Sequence, residues 1–464
     1  MRNSTSFLRT APSLVALGGL TCLTGLTLVL SPSAIAARIT ASGDESVLQF
    51  EIAQKLKPVP QDPLRPAQPQ QGGEAQTHLE EGNSHLEAGD YDRAIASYNR
   101  AIQIDPNFAD AYNNRGIAYR RKGNYNRAIS DFNRALEIQP DLADAFINRG
   151  NAYSNLGEYD RAIADFNQAI RIQPNTASAY YNRGTVYGYS GNFQRAIADF
   201  NQAIQLQPDL ADAYLNRGNA YNSIGEFDRA IADFNRVIEL EPDAADAYYN
   251  RGNAHSRQQK YDQAIADYNR ALEIQPNYAI VYNNRGLVYG SQGDADRAIA
   301  DFNRAIQLQP DLPDAYYNRA NIRSDQGEYE AAIADYTKAI QLLPDFADAY
   351  YNRGLAHRRN QNYEAAIADY TQTILLQPDS ADAFNNRGIA LAFLGQYDRA
   401  IADFDQALAI QPDYALAFFN RGLAYGALGN REQATSDFRS AIQVTQDPTL
   451  RQEAQQQLRN LGAQ

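Results

Sequence analysis

The chain is poor in the side chains that form disulfides and many metal sites. Its 464 residues include one cysteine, no tryptophan and four histidines scattered along the sequence. The cysteine, Cys22, lies inside an N-terminal apolar run, so a chain without that run has no thiol. Disulfides, thiolate metal sites and a cysteine nucleophile are therefore excluded from the rest of the chain.

Positive charge is also scarce. The chain has 42 Lys and Arg residues against 55 Asp and Glu residues, which gives a net charge of −13. Because phosphate binding needs clustered Lys and Arg, we expect no nucleic-acid partner, and an anionic lipid surface is equally disfavoured. No Gly-rich phosphate loop follows a strand-like segment, and no residue group has the pattern of a catalytic site. The sequence predicts a protein that is not an enzyme and has no cofactor or metal site.

The N-terminal region predicts export. Arg2 and Arg9 precede an apolar run over Leu14–Leu30, and a small-residue site follows. This order predicts a signal peptide at residues 1–36, cleaved after Ala36. The alternative is an uncleaved membrane anchor, although the run falls short of the ~20 apolar residues that a spanning helix prefers. Residues 37–74 are rich in Pro and Gln, and we expect a linker that is mostly disordered.

A 34-residue unit fills most of the remaining chain. Its marker is a row of prolines 34 residues apart: Pro106, Pro140, Pro174, Pro208, Pro242, Pro276, Pro310, Pro344, Pro378 and Pro412. Counting back from each proline gives ten units that begin at Ala75, and an eleventh unit ends at Pro448. A strict period of this length indicates a solenoid built from one supersecondary unit.

The fifth unit shows the helical spacing within a repeat. Tyr214 and Gly218 lie four residues apart on one predicted helix, and Ala230 and Phe234 lie four apart on a second. Gly225 stands between the two helices, where a tight turn favours positive φ. One such hairpin cannot bury both its faces, whereas stacked hairpins can.

This pattern resembles the tetratricopeptide repeat. The resemblance rests on these residues of the fifth unit: Tyr214, Gly218, Tyr221, Gly225, Ala230, Phe234 and Pro242. It implies an all-α fold, a right-handed superhelical α-solenoid of about eleven 34-residue helix-turn-helix repeats over residues 75–448, with a C-terminal capping helix at 449–464. The amino-acid sequence of the repeat is also similar to that of bacterial, notably cyanobacterial, repeat proteins. This similarity implies a periplasmic, thylakoid-lumen or extracellular location. The chain departs from the family in carrying Tyr or Phe for its usual Trp, and Arg for the Leu before the small residue.

Arg and Asp recur as a charged pair in the second to eleventh repeats. Each Arg precedes the small residue of the first helix, and an Asp follows it 16 residues later, as in Arg217 and Asp233 or Arg251 and Asp267. The first repeat lacks both residues. Pairing within a repeat leaves no charge without a partner, so we predict structural ion pairs that join the two helices of each hairpin. The alternative is an anion-binding row.

An asparagine precedes each of these arginines. The row comprises Asn114, Asn148, Asn182, Asn216, Asn250, Asn284, Asn318, Asn352, Asn386 and Asn420. In the family that the chain resembles, the first helices line a concave groove, so the resemblance implies that these amides bind the backbone of a peptide there. The alternative is that each Asn bonds to neighbouring helices and holds the stack together.

The sequence thus favours a non-enzymatic scaffold that binds extended peptide segments of partner proteins in a concave groove, with a role in complex assembly as its extension. An acidic row in the first turn of the first helices would line one side of that groove: Asp110, Asp144, Asp212, Asp246, Asp314, Asp348 and Asp382. Proteins or peptides are the expected partners, and the only expected membrane contact is an uncleaved N-terminal anchor. The alternatives are a self-associating structural protein and a membrane-anchored assembly chaperone.

Overall fold

A computed structural model describes residues 73–462, and the predicted signal peptide and nearly all of the predicted linker lie outside the described residues. Within this range the chain forms 23 helices and no strand. The helices fall into two compact units, which meet between Pro276 and Asn277 in the sequence.

The first unit contains twelve helices. They are α1 (Glu74–Glu87), α2 (Tyr91–Ile104), α3 (Ala109–Arg121), α4 (Tyr125–Ile138), α5 (Ala143–Asn155), α6 (Tyr159–Ile172), α7 (Ala177–Tyr189), α8 (Phe193–Leu206), α9 (Ala211–Ser223), α10 (Phe227–Leu240), α11 (Ala245–Arg257) and α12 (Tyr261–Ile274). Each consecutive pair is one repeat, so this unit holds the first six repeats.

The second unit contains eleven helices. They are α13 (Ala279–Ser291), α14 (Ala295–Leu308), α15 (Pro313–Asp325), α16 (Tyr329–Leu342), α17 (Ala347–Arg359), α18 (Tyr363–Leu376), α19 (Ala381–Phe393), α20 (Tyr397–Ile410), α21 (Ala415–Ala427), α22 (Arg431–Val444) and α23 (Pro448–Asn460). Repeats seven to eleven are followed here by one further helix. The predicted all-α solenoid of helix-turn-helix repeats is confirmed.

Close approach of the two helices explains the small residue in each hairpin. Phe234 of α10 is fully buried and its ring lies against Gly218 of α9. A Cβ atom on Gly218 would stand 2.6 Å from Cε1 of Phe234, which is too close for any carbon contact. Ala230, one turn earlier on α10, is also fully buried. The helices therefore meet where one side chain is absent and the other is small.

The turn within the hairpin explains the second glycine. Gly225 has φ 78°, in the left-handed region that glycine adopts without strain. Repeats six and nine place Gln259 and Gln361 at this position, both with φ 60°. A side chain costs about 1–2 kcal/mol in this conformation. These two turns are therefore strained.

Helix α23 forms the predicted cap at the C-terminal end of the second unit. Leu450 and Ala454 are buried against α22, and Leu458 and Leu461 are partly buried in the same cluster. Its other face is polar and exposed, as at Arg451 and Arg459. Among the described helices, none combines the length and apolar character needed to cross a membrane.

Candidate protein-interaction surface

The recurring Arg and Asp meet within each hairpin. In the fifth repeat Arg217 Nε donates to Asp233 Oδ2 at 2.8 Å, and Arg217 Nη2 donates to Asp233 Oδ1 at 2.6 Å. Arg251 and Asp267 form the same two-bond contact. The Nη2–Oδ1 distance is 2.5–2.7 Å in all ten repeats that carry the pair. In the structure, the Arg and Asp of the same repeat are therefore hydrogen-bonded partners.

Both members of the charged pair are largely buried, so each needs the other as a partner. The side chains of Arg217 and Asp233 are only 17% and 7% exposed. Burial raises the pKa of Asp233, and the hydrogen bond and charge of Arg217 oppose this shift. Burial also disfavours charge on Arg217, but the hydrogen bond and charge of Asp233 leave the pKa of Arg217 above its ordinary value. Two charges buried in this way are tolerated because each has the other as a hydrogen-bonded partner.

A third hydrogen bond joins nine of these arginines to the preceding repeat, which the sequence reasoning missed. Arg217 Nη1 donates to Oδ1 of Asn201 at 2.6 Å, and Asn201 lies on α8 of the fourth repeat. In other repeats the corresponding Arg Nη1 donates to an oxygen atom of one of these residues: Asn99, Asn133, Asn167, Asn235, Asn303, Thr337, Thr371 and Asp405. The signal was in the sequence, because an oxygen acceptor stands 16 residues before each such Arg.

An aromatic ring lies under each guanidinium. The Cζ atom of Arg217 is 5.4 Å from the ring centroid of Tyr214, and that of Arg149 is 5.3 Å from the ring of Phe146. A cation over an aromatic face is attracted to it. The two departures from the usual repeat, Arg for Leu and Tyr or Phe for Trp, are thus one structural feature.

The asparagine row does not face an open groove, which corrects the expectation from the resemblance. Asn216 is fully buried, and its Nδ2 donates to the hydroxyl of Tyr181 in the preceding repeat at 2.9 Å. Asn148 is also fully buried and donates to Oδ1 of Asn113 at 3.0 Å. The buried members of the row are Asn114, Asn148, Asn182, Asn216, Asn250, Asn352, Asn386 and Asn420, while Asn284 and Asn318 are partly buried.

The reason for the correction lies in the neighbouring first helix. Helical spacing places the asparagine away from its own hairpin's core, and that direction points to the preceding repeat. Asn318 and Asn420 donate in the same way, to Asn283 and Asn385. A buried amide that already donates within the stack has no free surface for a peptide backbone. These side chains act between repeats.

The exposed side chains of the first helices differ from repeat to repeat. Five residues after the small residue, the first unit carries Glu87, Arg121, Asn155, Tyr189, Ser223 and Arg257 in repeat order. Of these, Glu87, Arg121, Asn155 and Arg257 are exposed. The acidic row is half-buried in the first unit and exposed at Asp314, Asp348 and Asp382 in the second. The array therefore combines a repeated interior with a varied surface.

Two histidines lie beside the ion pairs. His255 Nε2 is 3.8 Å from Asp267 Oδ2, and His357 Nε2 is 3.9 Å from Asp369 Oδ2. Burial lowers the pKa of both histidines, although the nearby carboxylate opposes the shift. In the part of the chain that the structure covers, no group of three or more His, Cys, Asp or Glu side chains is placed to hold a metal ion.

Family models match almost the whole repeat array. Those described as "TPR repeat" match residues 82–123, 150–191, 218–259 and 320–361. Those described as "Tetratricopeptide repeat" match residues 109–142, 132–164, 177–210, 245–278, 279–312, 302–334, 353–417 and 415–448. No curated protein matches the sequence.

Several solved structures are similar to this chain. Yeast Tom70 is 15% identical with a TM-score of 0.39, and the match covers 84% of this chain and 95% of that one. A tetratricopeptide repeat protein from Parabacteroides merdae is 23% identical with a TM-score of 0.42, over 56% of this chain and 100% of that one. YrrB, described as a TPR protein with an unusual peptide-binding site, is 25% identical with a TM-score of 0.35, over 40% and 95% of the two chains.

Proposed function

The chain belongs to the tetratricopeptide repeat family, and on that premise we propose that it is a non-enzymatic scaffold that binds extended segments of partner proteins. Stacked repeats of this kind present long continuous surfaces that serve protein–protein interaction. The proposed binding surface is the exposed face of the first helices. The matching models describe a repeat and none describes a catalytic domain.

The observation that supports this proposal is the contrast between interior and surface. The Arg, Asp and Asn side chains that recur in the second to eleventh repeats make contacts within the array, as at Arg217, Asp233 and Asn216. The exposed first-helix positions change between repeats from Arg121 to Asn155. A partner that lies along the array would meet a different side chain at each repeat. Such a surface can recognise a particular sequence.

The charge of this face favours basic segments. The acidic row in the first turns contributes Asp212 and Asp246 in the first unit, both half-buried. Complementary charge increases the association rate and excludes partners of the same sign. The part of a partner segment that lies at these first turns is therefore proposed to carry Lys or Arg, and assistance with complex assembly is the proposed extension of this role.

The residues at the ends of the array favour this proposal over self-association by end-to-end stacking. The first repeat has Glu80 and Glu81 where the later repeats have the Asn and Arg that bind the preceding repeat. The last repeat has Arg439 where earlier second helices offer an acceptor to the next Arg, and Leu423 where several first helices offer an acceptor to the next Asn. Helix α23 then covers part of the last hairpin with a polar outer face. The contacts that join repeats are thus missing at both ends.

Selection from a library of short random peptides tests the proposal. Residues 37–464 serve as the target, and each selected peptide is then measured on a variant with Arg121→Ser, Asp212→Ser, Asp246→Ser and Arg257→Ser. Other repeats carry Ser at the corresponding positions, as at Ser178 and Ser223, so we expect the variant to fold normally. The expected loss of affinity is about tenfold or more, because such side chains would lie at the centre of the contact.

The matched control is Glu239→Gln on the exposed side of a second helix, where the fourth repeat has Gln205. This variant is expected to bind the peptides as the unchanged chain does. Failure to select any peptide, or equal binding by the four-site variant, would overturn the proposal.

We also propose export, with the mature chain beginning at Ala37. The support is the sequence of residues 1–36, which lie outside the described residues. Mass spectrometry of the N-terminal peptide, after expression in the native host, measures the cleavage site. A retained apolar run would support the membrane anchor in its place.

A further inference from the structure

One edge of the second unit exposes large apolar side chains at the turns between repeats. Leu375 is 69% exposed, Leu416 is 42%, Leu343 is 39% and Ile410 is 38%. All four lie within a few residues of the turns that join α16 to α17, α18 to α19 and α20 to α21. We call these four residues the apolar edge. They belong to consecutive stacked repeats, the eighth to the eleventh.

Comparison with the other repeats shows that these leucines are not required by the hairpin. The position of Leu375 carries Gln, Glu or Arg in nine of the eleven repeats and Ala at Ala409. That of Leu343 carries Gln in seven repeats, and that of Leu416 carries Asp in seven. The same hairpin therefore folds with polar residues at the places of the three leucines, whereas the position of Ile410 is aliphatic in every repeat. Exposed apolar side chains that the fold does not need indicate a contact with another molecule.

The charge around the apolar edge has one sign. Five exposed aspartates lie at the same turns, namely Asp345, Asp348, Asp379, Asp382 and Asp413, and two more, Asp311 and Asp314, lie at the turn before them. The four turn segments 305–316, 339–350, 373–384 and 407–418 contain no Lys or Arg. A partner for this edge needs apolar side chains flanked by positive charge. An anionic lipid surface would be repelled, and a second copy docked through the same edge would bring the aspartates together.

The spacing of the edge suits a helix. Successive first helices of the second unit pack against one another, as packed helices do at about 8–10 Å, so the turns that precede them recur at about that interval. In a partner helix, residues seven apart are separated by about 10 Å along the axis. A helix with an apolar residue every seventh position could therefore place one side chain at each of the three turns along the edge.

We propose that the apolar edge of repeats eight to eleven is a docking site for a basic amphipathic helix of a partner protein. This docking site lies in the second unit, whereas the four-site variant that tests the proposed function changes only residues of the first unit, so the two proposals can fail independently. The partner is recognised by apolar residues in heptad spacing and by Lys or Arg on both flanks. The apolar residues cover the leucines, and the basic residues meet the aspartates.

Fluorescence anisotropy with synthetic peptides tests this docking site on residues 37–464. The probe is a labelled helical peptide with Leu at heptad spacing and Lys on both flanks, and its counterpart has Glu in place of Lys. One variant carries Leu343→Gln, Leu375→Gln and Leu416→Asp, and another carries Asp345→Asn, Asp379→Asn and Asp413→Asn. All six changes install residues that other repeats hold at the same positions, so both variants are expected to keep the unfolding temperature of the unchanged chain.

We expect the Lys peptide to bind and each variant to weaken its binding by about tenfold or more. The Glu peptide is expected not to bind. Leu156→Gln is the matched control, because Leu156 is an exposed leucine in the first unit and other repeats carry Gln at its position. This change should leave binding of the Lys peptide unaltered.

Three results would overturn the proposal. The first is equal binding of the Lys peptide by the leucine variant and the unchanged chain. The second is cosedimentation with phosphatidylglycerol vesicles that the leucine variant abolishes, which would assign the edge to lipid. The third is a dimer, measured by light scattering, that the leucine variant dissociates.

Discussion

Arg217 shows how much one recurring side chain does in this array. Its guanidinium binds Asp233 of the same hairpin through two hydrogen bonds and Asn201 of the preceding repeat through a third, above the ring of Tyr214. Planar guanidinium groups suit such divided contacts, since their donors point in fixed directions. A lysine at this site could not satisfy the same three partners. The residue links two helices to each other and one repeat to the next.

Removing both partners of the pair should cost less than the sum of the two single removals. Asp233→Leu leaves Arg217 buried without its carboxylate, and we expect the free energy of unfolding to fall by about 3–5 kcal/mol. Arg217→Met should have a similar effect, and the double variant should lose less than the sum of the two. Thermal and urea unfolding of the four proteins measure the coupling. Additive losses would contradict a structural pair.

Two largely buried histidines are expected to make stability depend on pH. His255 has Arg251, Lys260 and Asp267 as its charged neighbours, and burial lowers its pKa. The folded chain thus resists protonation, whereas the unfolded chain binds protons below about pH 6.5. Stability is therefore expected to fall as the pH drops below that value, by at most about 1.4 kcal/mol per pH unit for each histidine. The burial of His357, beside Arg353 and Asp369, acts in the same direction.

Unfolding temperatures at neutral and mildly acidic pH measure this effect. The control is His255→Tyr with His357→Tyr, because many other repeats carry Tyr at this position. We expect the double variant to lose less stability in mild acid than the unchanged chain. Equal losses would assign the acid sensitivity to other groups.

At the scale of the helix pair, the contact between Gly218 and Phe234 sets how closely α9 and α10 approach. Gly218→Ala places a Cβ atom 2.6 Å from the ring. Overpacking of a core costs about 1–3 kcal/mol. This cost equals or exceeds the gain of about 1 kcal/mol from the better helix propensity of Ala. We expect a lower unfolding temperature for this variant, measured by circular dichroism.

The eighth repeat supplies the control for this substitution. Its Ala320 already carries a Cβ at the same place and is fully buried against the second helix. Ala320→Gly should lower stability through helix propensity alone, by about 1 kcal/mol. A gain in stability for Gly218→Ala would show that the helices can separate without cost.

The sequence allowed the helices to be predicted but not the direction of every side chain. The period and the spacing of Tyr214, Gly218, Ala230 and Phe234 were enough for the hairpin, because local spacing decides which residues share a helix face. The same spacing turns Asn216 away from the aromatic contact of its own hairpin. It could not decide whether that direction led to solvent or to the next repeat, because the answer depends on how hairpins stack.

The hydrogen-bond partners of the arginines could also be predicted only in part from the sequence. Counting which repeats lack Arg and Asp was sufficient to select the pair within a hairpin. The third hydrogen bond, from Arg217 to Asn201, required the geometry of the preceding helix. The sequence nevertheless contained a sign of this bond. The last repeat is not followed by another repeat with the recurring Arg, and it carries Arg439 where the other repeats carry an oxygen acceptor. Differences between terminal and internal repeats thus carry information that the shared pattern does not.

At the scale of the whole molecule, polar contacts join neighbouring repeats to one another. Asn216 Nδ2 donates to Tyr181 and, at 3.5 Å, to Thr185, and Arg217 donates to Asn201, so the side chains of Asn216 and Arg217 connect the fifth repeat to the fourth. In an array of this kind, stability is the sum of the stabilities of single repeats and of the interfaces between neighbours. Weakening one interface should therefore reduce the cooperativity of unfolding more than the stability of either hairpin.

The variant Asn201→Ala with Asn216→Ala tests this expectation within the first unit. It removes these contacts and keeps the pair of Arg217 and Asp233, so each hairpin retains its own ion pair. The free energy of unfolding should fall by about 1 kcal/mol for each hydrogen bond. Hydrogen exchange read by mass spectrometry should then show α1–α8 and α9–α12 opening at different denaturant concentrations, which the unchanged chain and the control Gln205→Ala should not show. A single sharp transition in the variant would mean that the apolar contacts between repeats couple them without these polar bonds, and the asparagine row would then determine the register of stacking more than its strength.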